Sequence, residues 1–240
     1  MIKYIHKKGI FCSTLLDTKI FHGFGTKILG NGIKKETVQK ILKKYISHPV
    51  YVIIPQQIHS THVEIVDQTK IDQRYTYIAA SDALVTKEKN VLLTVLTVDC
   101  VPIIYADVGR SVIGISHGGW KGTLENIAKY VIDRMIELGA RKEHIIAAVG
   151  PAIADCCYRI YGLRRDEFIQ AFGDRVIRYS GDRTFLNLLA ANIDLLLAAG
   201  ILRKNIDYSL FCTSCDEQRF WSFHRDHVCI GEMLHYVMLR

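Results

Sequence analysis

The sequence has few prolines, four in 240 residues, and it has no internal repeat, low-complexity tract or Pro/Ser-rich linker. These absences argue against two domains joined by a flexible segment and favour a single domain over residues 1–240. No apolar run is as long as a membrane-spanning helix requires, so we expect no membrane contact. The first 17 residues have neither an uninterrupted apolar core nor a small-residue cleavage signal, and we therefore expect a cytoplasmic protein.

Two common groups of cofactor motifs are also missing. The chain has neither a GxGxxG segment nor a Walker A loop, so we do not expect a common dinucleotide site or a P-loop. The ten histidines lack the closely spaced pairs that hold four coppers, which argues against a multicopper oxidase. The formal net charge of +7 is spread along the chain. This spread favours a solvated surface over a nucleic-acid interface, and it helps to attract small anions such as phosphate.

Cysteine is well represented. There are seven, an odd number, so they cannot all pair within one chain. In a reducing compartment they are buried thiols, metal ligands or nucleophiles more often than disulfides. Cys212 and Cys215 form a CxxC, which by itself is specific for neither zinc nor redox chemistry, and we expect buried thiols there. Cys156 and Cys157 are adjacent and cannot easily bridge each other.

Helical and extended patterns are mixed without strict alternation. The patterns predict helices at residues 34–47, 122–138, 164–172 and 184–199. They predict strands at residues 51–54, 62–66, 91–98, 101–105, 111–116, 144–150, 208–212 and within 229–239. This order favours an α/β layered sandwich with a mixed sheet over a purely parallel sheet.

Three residues with reactive side chains stand at the ends of predicted strands: His59, Cys100 and His117. Strand ends can aim side chains into a common cleft. Two imidazoles and one thiolate suit zinc, with a fourth coordination position open for catalysis. The spacing of these residues matches no short zinc signature, so two other interpretations stay open. In the first, the three residues have ordinary structural roles. In the second, Cys100 and His117 form a thiolate–imidazolium pair for covalent catalysis.

The segment after His117, HGGWKG, adds features of a ligand site. Gly118 and Gly119 allow the backbone to pass close to a ligand. The helix predicted to begin at Gly122 offers free N–H groups to an anion, and Lys121 adds a cation there. The alternative is a tight strand-to-helix turn.

Six segments, taken together and in order, resemble one bacterial family. They are QQIHSTHV (56–63), SDALVT (81–86), VDCVPIIYAD (98–107), SHGGWKGTLENI (116–127), VGPAIADCCY (149–158) and FCTSCDEQRFWSFHRD (211–226). The family is that of laccase-like multicopper polyphenol oxidases, now described as zinc-dependent purine nucleoside phosphorylases with adenosine deaminase activity. The resemblance implies a layered α/β/β/α sandwich with mixed sheets, and Zn²⁺ ligands at His59, Cys100 and His117.

The resemblance also implies substrates and roles. Purine nucleosides and phosphate would be the small-molecule partners, with methylthioadenosine as a further substrate, and Cys100 and His117 would be the catalytic residues. We expect Gln57 and Lys121 to position the substrate and Arg225 to contact an anionic or polar group, because they lie beside the matched motifs. The sequence does not specify an oligomeric state.

The chain departs from the family pattern at three arginine positions, which hold Lys121, His224 and Glu232 here. Lysine keeps the charge but lacks the bidentate fork that suits phosphate. The charge changes at His224 and Glu232 leave open a non-catalytic nucleotide-binding protein as one alternative function. The pairing of Cys100 with His117 leaves open another, a thiol hydrolase or amidase, which includes cell-wall precursor editing.

Overall fold

The computed structural model describes residues 2–5, 8–16, 18–46 and 48–240. The strands in this part are β1 (Ile2–Ile5), β2 (Ile10–Ser13), β3 (Ile20–Gly25), β4 (Tyr51–Pro55), β5 (Val63–Ile65), β6 (Tyr75–Ile78), β7 (Ala83–Thr86), β8 (Val91–Thr97), β9 (Val101–Asp107), β10 (Val112–Gly118), β11 (Ile146–Val149), β12 (Arg159–Ile160), β13 (Ile177–Ser180), β14 (Arg183–Leu186), β15 (Ile206–Tyr208) and β16 (Met233–Leu239). The helices are α1 (Lys35–Tyr45), α2 (Trp120–Leu124), α3 (Ile127–Glu137), α4 (Gly162–Phe172), α5 (Leu188–Ala198) and α6 (Phe223–Asp226).

The strands form two large mixed sheets and one small sheet. Sheet I has the order β1-β2-β3-β16-β8-β4-β6, and sheet II has the order β15-β11-β9-β10-β7-β5. The small sheet has the order β12-β14-β13. Strand β4 runs parallel to β6 and β8, and β5 runs parallel to β7, whereas the contacts of β9 with β10 and β11 are antiparallel.

Alternate residues of the central strands face different layers. In β9, Ile103 packs in the cluster that contains the helices α3, α4 and α5, and its neighbour Ile104 packs between the two sheets. In β8, Leu92 packs with helix α1 and its neighbour Leu93 packs between the sheets. The period of two in a strand therefore places a helix layer outside each sheet. The layers are α/β/β/α, as expected.

Most of the predicted strands are present with slightly different bounds, but one predicted strand and two predicted helices were wrong. The strand at the place of the predicted segment 208–212 is β15, which ends at Tyr208, and residues 209–212 form a loop. The predicted helix at 184–199 contains the end of β14, and helix α5 begins only after Asn187, whose side chain accepts a hydrogen bond from the Ala190 N–H at 2.9 Å. The predicted helix end at Ser47 lies outside the described residues.

The predicted helix at 122–138 is also wrong, because its first helix begins at Trp120 rather than at Gly122 and Asn126 divides the segment into α2 and α3. Asn126 has left-handed backbone angles (φ 63°, ψ 51°), and its side chain accepts a hydrogen bond from the Lys129 N–H at 3.2 Å as the N-cap of α3. Asparagine tolerates both roles better than most residues. No helix in the described ranges is both long and apolar enough to cross a membrane.

We expect Asn126→Ala to destabilise the fold by about 1–2 kcal/mol, because it removes the cap and because alanine tolerates left-handed backbone angles less well than asparagine does. Asn126→Gly should cost much less, since glycine caps adequately and adopts this backbone freely. Chemical denaturation of the two variants and the wild type measures the difference. Equal stabilities of the alanine and glycine variants would contradict this account of the break.

Candidate metal centre and its cavity

The predicted metal ligands lie together at one end of the strands of sheet II. The loop with His59 precedes β5, and Asp82 precedes the parallel strand β7, so both lie at the same edge. Cys100 directly precedes β9. The antiparallel strand β10 ends at this edge, with His117 paired in register to Pro102 and Gly118 paired to Val101. Strand direction alone therefore brings these segments together.

The structure places His59, Cys100 and His117 around a common point. Their potential ligand atoms all lie within 4.8 Å of one another, and the Cys100 Sγ lies 4.0 Å from the His59 Nε2. The two imidazole rings are nearly perpendicular, at 83°, with centroids 4.7 Å apart. His117 is buried, Cys100 is half-buried and His59 is exposed. The cluster therefore has one closed side and one side that small molecules can reach.

Asp82 holds this arrangement in place, and the sequence interpretation missed it. Its fully buried carboxylate accepts hydrogen bonds from the backbone N–H groups of Ile58, His59 and Ser60, at 3.1, 3.0 and 2.7 Å. It also accepts from the Ser60 hydroxyl at 2.8 Å and from the His117 Nδ1 at 2.8 Å. Burial alone would raise the pKa of this carboxyl, but the bonds from His117 and Ser60 hold it well below its usual range.

The contact between Asp82 and His117 fixes the ring tautomer. A carboxylate beside Nδ1 keeps the proton on that nitrogen, so Nε2 presents its lone pair on the other side of the ring. Asp82 is a charged residue directly before the buried strand β7. Its place in the motif SDALVT was the signal available in the sequence. A buried aspartate at a strand start indicates a structural partner of this kind.

Gly119 shows how closely the backbone approaches the cluster. A Cβ atom at this position would lie 2.8 Å from the His59 Cδ2, 3.4 Å from the Cys100 Sγ and 3.5 Å from the His117 Cε1. The backbone therefore passes against all three residues and needs glycine here, as the HGGWKG segment predicted. Two imidazoles and one sulfur so arranged fit a metal ion with tetrahedral preference.

Cys100 and His117 shift each other's pKa. Burial would raise the pKa of the Cys100 thiol, but the charge on His117 and hydrogen bonds with His117 and His59 lower it to about 6. Burial would lower the pKa of His117, but the charge on Cys100 and the bond to Asp82 raise it to about 10. Cys100 therefore favours the thiolate form that metal binding and nucleophilic attack both require.

The cluster opens into a cavity of about 1050 Å³ that is lined by residues of both sheets, of helix α1 and of the adjoining loops. The cavity includes an apolar wall with Ile54, Leu96 and Leu234. Gln57 also lines it, and both ends of its side-chain amide are fixed on the backbone of Leu96, with the Nε2 donating to the carbonyl at 2.8 Å and the Oε1 accepting from the N–H at 2.7 Å. Gln57 therefore presents a rigid surface to a bound molecule.

A cation that the sequence interpretation did not select also lines the cavity. The guanidinium of Arg164, in helix α4, stacks on the Trp120 ring at 4.1 Å from its centroid. Its Nε–H is buried and has no hydrogen-bond acceptor in the described part of the chain. Tyr158 lies in the same wall, and burial raises the pKa of its hydroxyl to about 12 although the Arg164 charge opposes this. Arg164 lies in none of the six matched segments, and in the sequence nothing distinguishes it from other residues of a predicted helix.

Two residues proposed for substrate contact lie elsewhere. Lys121 is exposed in the first turn of α2, and Arg225 is occupied by other groups. The Arg225 guanidinium donates to the carbonyls of Thr213, Ser214 and Phe220 at 3.2–3.3 Å and pairs with Asp226. Neither side chain is among the described residues that line the cavity. Their roles in substrate binding stay predictions.

The other two departures from the family pattern do line the cavity. His224 contacts the Tyr158 ring edge-on, with centroids 4.8 Å apart, and its backbone N–H donates to Asp99 at 2.9 Å. Glu232 is half-buried in the cavity wall, and burial raises the pKa of its carboxyl. The cavity thus holds a cation on α4 and an ionisable acid just before β16.

Several known proteins are similar to this chain in sequence. The chain is 34% identical over 186 residues to adenosine deaminase RL5 from an unknown prokaryotic organism, a match that spans 72% of this chain and 70% of that protein. It is 40% identical over 156 residues to a purine nucleoside phosphorylase from Deinococcus radiodurans, across 63% of this chain and 58% of that protein. A purine nucleoside phosphorylase, YlmD, from Geobacillus stearothermophilus is 33% identical over 197 residues, across 76% of this chain and 70% of that protein.

Solved structures agree with the sequence matches. The crystal structure of YlmD from Geobacillus stearothermophilus superposes with a TM-score of 0.87 and 25% identity over 97% of this chain and 96% of that one. A hypothetical protein YfiH from Bacillus licheniformis also gives a TM-score of 0.87, with 27% identity over 97% of both chains. Residues 33–240 match the family model described as multi-copper polyphenol oxidoreductase laccase. The chain therefore belongs to that family.

Proposed function

We propose that this protein is a zinc-dependent purine nucleoside phosphorylase that also deaminates adenosine. The observation that carries the proposal is the cluster of His59, Cys100 and His117 at the base of a cavity of about 1050 Å³. Relatives named for these activities, at 34% and 40% identity, support it. Methylthioadenosine is also a purine nucleoside, and we include it among the proposed substrates of phosphorolysis.

The donor set favours zinc over other common ions. One thiolate and two imidazoles are softer ligands than the oxygen atoms that magnesium and calcium prefer, and the three leave a coordination position for substrate or water. A four-copper oxidase centre needs many more histidines than this cluster supplies. When bound, zinc supplies Lewis-acid chemistry, since it polarises a substrate oxygen or lowers the pKa of water.

The chain's own residues divide the remaining tasks. Asp82 keeps the Nδ1 proton of His117 and the N–H groups of the His59 loop in place, so that both imidazoles stay aimed at one point. The apolar wall with Ile54 and Leu96 offers a surface on which a purine ring loses its contact with water. The rigid amide of Gln57 borders that surface and limits how the ring can lie.

Arg164 is the group we assign to phosphate. Its guanidinium lines the same cavity, it lies over the Trp120 ring, and its buried Nε–H lacks an acceptor in the described residues. A planar guanidinium binds phosphate in two parallel hydrogen bonds, which positions the anion as well as attracting it. In phosphorolysis, a phosphate oxygen bonds to the ribose anomeric carbon as the bond from that carbon to the purine breaks.

A second candidate function rests on one observation. The pKa of Cys100 is lowered to about 6 by His117 and His59 despite burial, which is what a nucleophilic cysteine needs. A thiol hydrolase or amidase, including one that edits cell-wall precursors, would use Cys100 in this way. The same cysteine cannot be both a zinc ligand and a free nucleophile, so metal binding decides between the two functions.

The activity is tested with purified, zinc-loaded protein and adenosine, inosine or methylthioadenosine, with and without phosphate. We expect free base and ribose 1-phosphate, or methylthioribose 1-phosphate, only when phosphate is present. From adenosine we also expect inosine without phosphate, because deamination consumes water instead. Chromatography of the reaction mixture separates these products. If zinc-loaded protein turns over no purine nucleoside, the assignment as a purine nucleoside phosphorylase and adenosine deaminase is wrong.

Asp82→Asn should weaken zinc binding about 10- to 100-fold, because the amide no longer fixes the His117 tautomer with a negative charge. His59→Ala should remove a ligand and abolish binding at this site. His62→Ala is the matched control, since His62 is exposed and pairs with Glu64 outside the cluster. Competition with a chromophoric chelator measures affinity. Iodoacetamide that labels Cys100 equally with and without zinc would instead favour the thiol hydrolase.

Arg164→Ala should raise the KM for phosphate about tenfold or more, since a charge-assisted hydrogen bond to the anion is lost. Arg165→Ala provides the control, because the Arg165 guanidinium pairs with Asp166 and is not among the described residues that line the cavity. Initial rates at varied phosphate and fixed inosine give the KM. An unchanged KM in Arg164→Ala, or an equal rise in both variants, would remove Arg164 from phosphate binding.

A further inference from the structure

A second group of metal-type side chains lies apart from the candidate metal centre. The sulfur atoms of Cys156, Cys157, Cys212 and Cys215 all lie within 4.8 Å of one another. The Cys215 Sγ lies 3.4 Å from the Cys156 Sγ and 3.3 Å from the Cys157 Sγ. A zinc ion bound tetrahedrally at about 2.3 Å from each sulfur has sulfur–sulfur distances of about 3.8 Å. We propose that these four cysteines bind a second, structural zinc ion.

The fold brings the two cysteine pairs together. Strands β11 and β15 pair in parallel, and the loops that follow them continue side by side. The Ser209 N–H donates to the Val149 carbonyl at 3.0 Å, and the Thr213 N–H donates to the Ala152 carbonyl at 3.1 Å. Ala152 also forms a parallel bridge with Cys212. Residues far apart in sequence are thus held in register by backbone hydrogen bonds rather than by the cysteines themselves.

The sequence alone favoured buried thiols at the CxxC, and this expectation was wrong for Cys215, which is exposed, as is Cys156. The CxxC lacked a second pair at a recognisable spacing, because its partners are adjacent residues on another loop. Four convergent sulfurs, two of them exposed, are not what a hydrophobic core requires. They are the ligand set of a closed structural zinc site.

Two other uses of these cysteines fit less well. A disulfide joins two sulfurs, whereas Cys215 contacts Cys156 and Cys157 at nearly the same distance and Cys212 lies within the same group. An iron–sulfur cluster spreads its cysteines over several iron atoms, which separates them further than four ligands of one ion. The compact group therefore favours a single ion.

The surroundings suit a centre with excess negative charge. Four thiolates around one divalent zinc leave a net charge of about −2, which needs hydrogen bonds and nearby cations. The Ala154 N–H donates to the Cys212 Sγ at 3.4 Å. Arg178 donates to the Asp155 carbonyl at 2.9 and 2.6 Å, and Arg225 donates to the carbonyls of Thr213 and Ser214 within the CxxC. Both guanidiniums thus approach the backbone of the cysteine loops.

The site would stabilise the loops behind the candidate catalytic cysteine. The Thr213 hydroxyl donates to the Asp99 carboxylate at 2.6 Å, and the Ile153 N–H donates to the Asp99 carbonyl at 2.9 Å. Asp99 directly precedes Cys100. An ion that joins the loop of Cys156 to the loop of Cys212 would therefore hold both contacts to Asp99 together, without touching substrate.

Zinc per chain, measured by elemental analysis of protein purified under reducing conditions, tests the proposal. We expect about two zinc ions in the wild type and about one in each of Cys215→Ser and His59→Ala. Cys229→Ser is the control for an exposed cysteine outside both clusters and should keep the wild-type content. About one zinc in the wild type and none in His59→Ala would overturn the second site while leaving the first intact.

A second measurement does not depend on whether a cysteine variant folds. X-ray absorption at the zinc edge of His59→Ala should show sulfur neighbours alone, at about 2.3 Å, because only the four-cysteine site remains. Nitrogen neighbours in that spectrum would overturn the proposal. So would peptide mapping of the freshly purified wild type that finds Cys215 in a disulfide with Cys156 or Cys157. None of these readouts requires nucleoside turnover.

Discussion

The buried carboxylate of Asp82 is the constraint on which the candidate metal centre depends. Removing a charge from water costs several kcal/mol unless hydrogen bonds and charge compensate it. Here the compensation comes from the backbone N–H groups of residues 58–60, the Ser60 hydroxyl and the imidazole of His117. Because the donors lie on a loop and on a strand of sheet II, satisfying this one charge fixes His59 and His117 relative to each other. A single electrostatic requirement thus sets the geometry of two candidate ligands.

The two-sheet architecture then decides what such a cluster can do. Strands β5, β7 and β9 start at the end of sheet II where β10 ends. Cys100 and His117 are therefore anchored at the ends of rigid strands, and His59 is held on the loop before β5 by its contacts to Asp82. The cavity beside them is walled partly by sheet I, through residues such as Leu96 and Leu234. A metal centre on one sheet therefore faces an apolar surface on the other. That pairing suits a substrate with a flat ring at one end and reactive polar groups at the other.

The sequence was sufficient where a physical pattern is local. Alternating or continuous apolar runs predicted the central strands. Reactive residues at strand ends left a shared site of His59, Cys100 and His117 open as one interpretation, and the family resemblance implied it. It failed where the outcome depends on a partner distant in sequence. Asp82 is recognisable only once its donors surround it, and Arg164 only once the cavity exists. The break at Asn126 is a local exception, because it depends on one left-handed residue inside an apolar pattern that fits an unbroken helix equally well. Cys156 and Cys212 approach only through the pairing of β11 with β15.

The arginine that lines the cavity is not at a position that the family resemblance indicates. The family resemblance places guanidiniums at positions that hold Lys121, His224 and Glu232 here, and two of these line the cavity as a histidine and an acid. Arg225 matches the resemblance, yet its donors are used on backbone carbonyls of the CxxC loop and on Asp226. Among the described residues that line the cavity, the arginine is Arg164, supplied by helix α4 and held against Trp120. If an anion is bound in this cavity, charge complementarity therefore directs it towards α4 rather than towards the half-buried acid at Glu232.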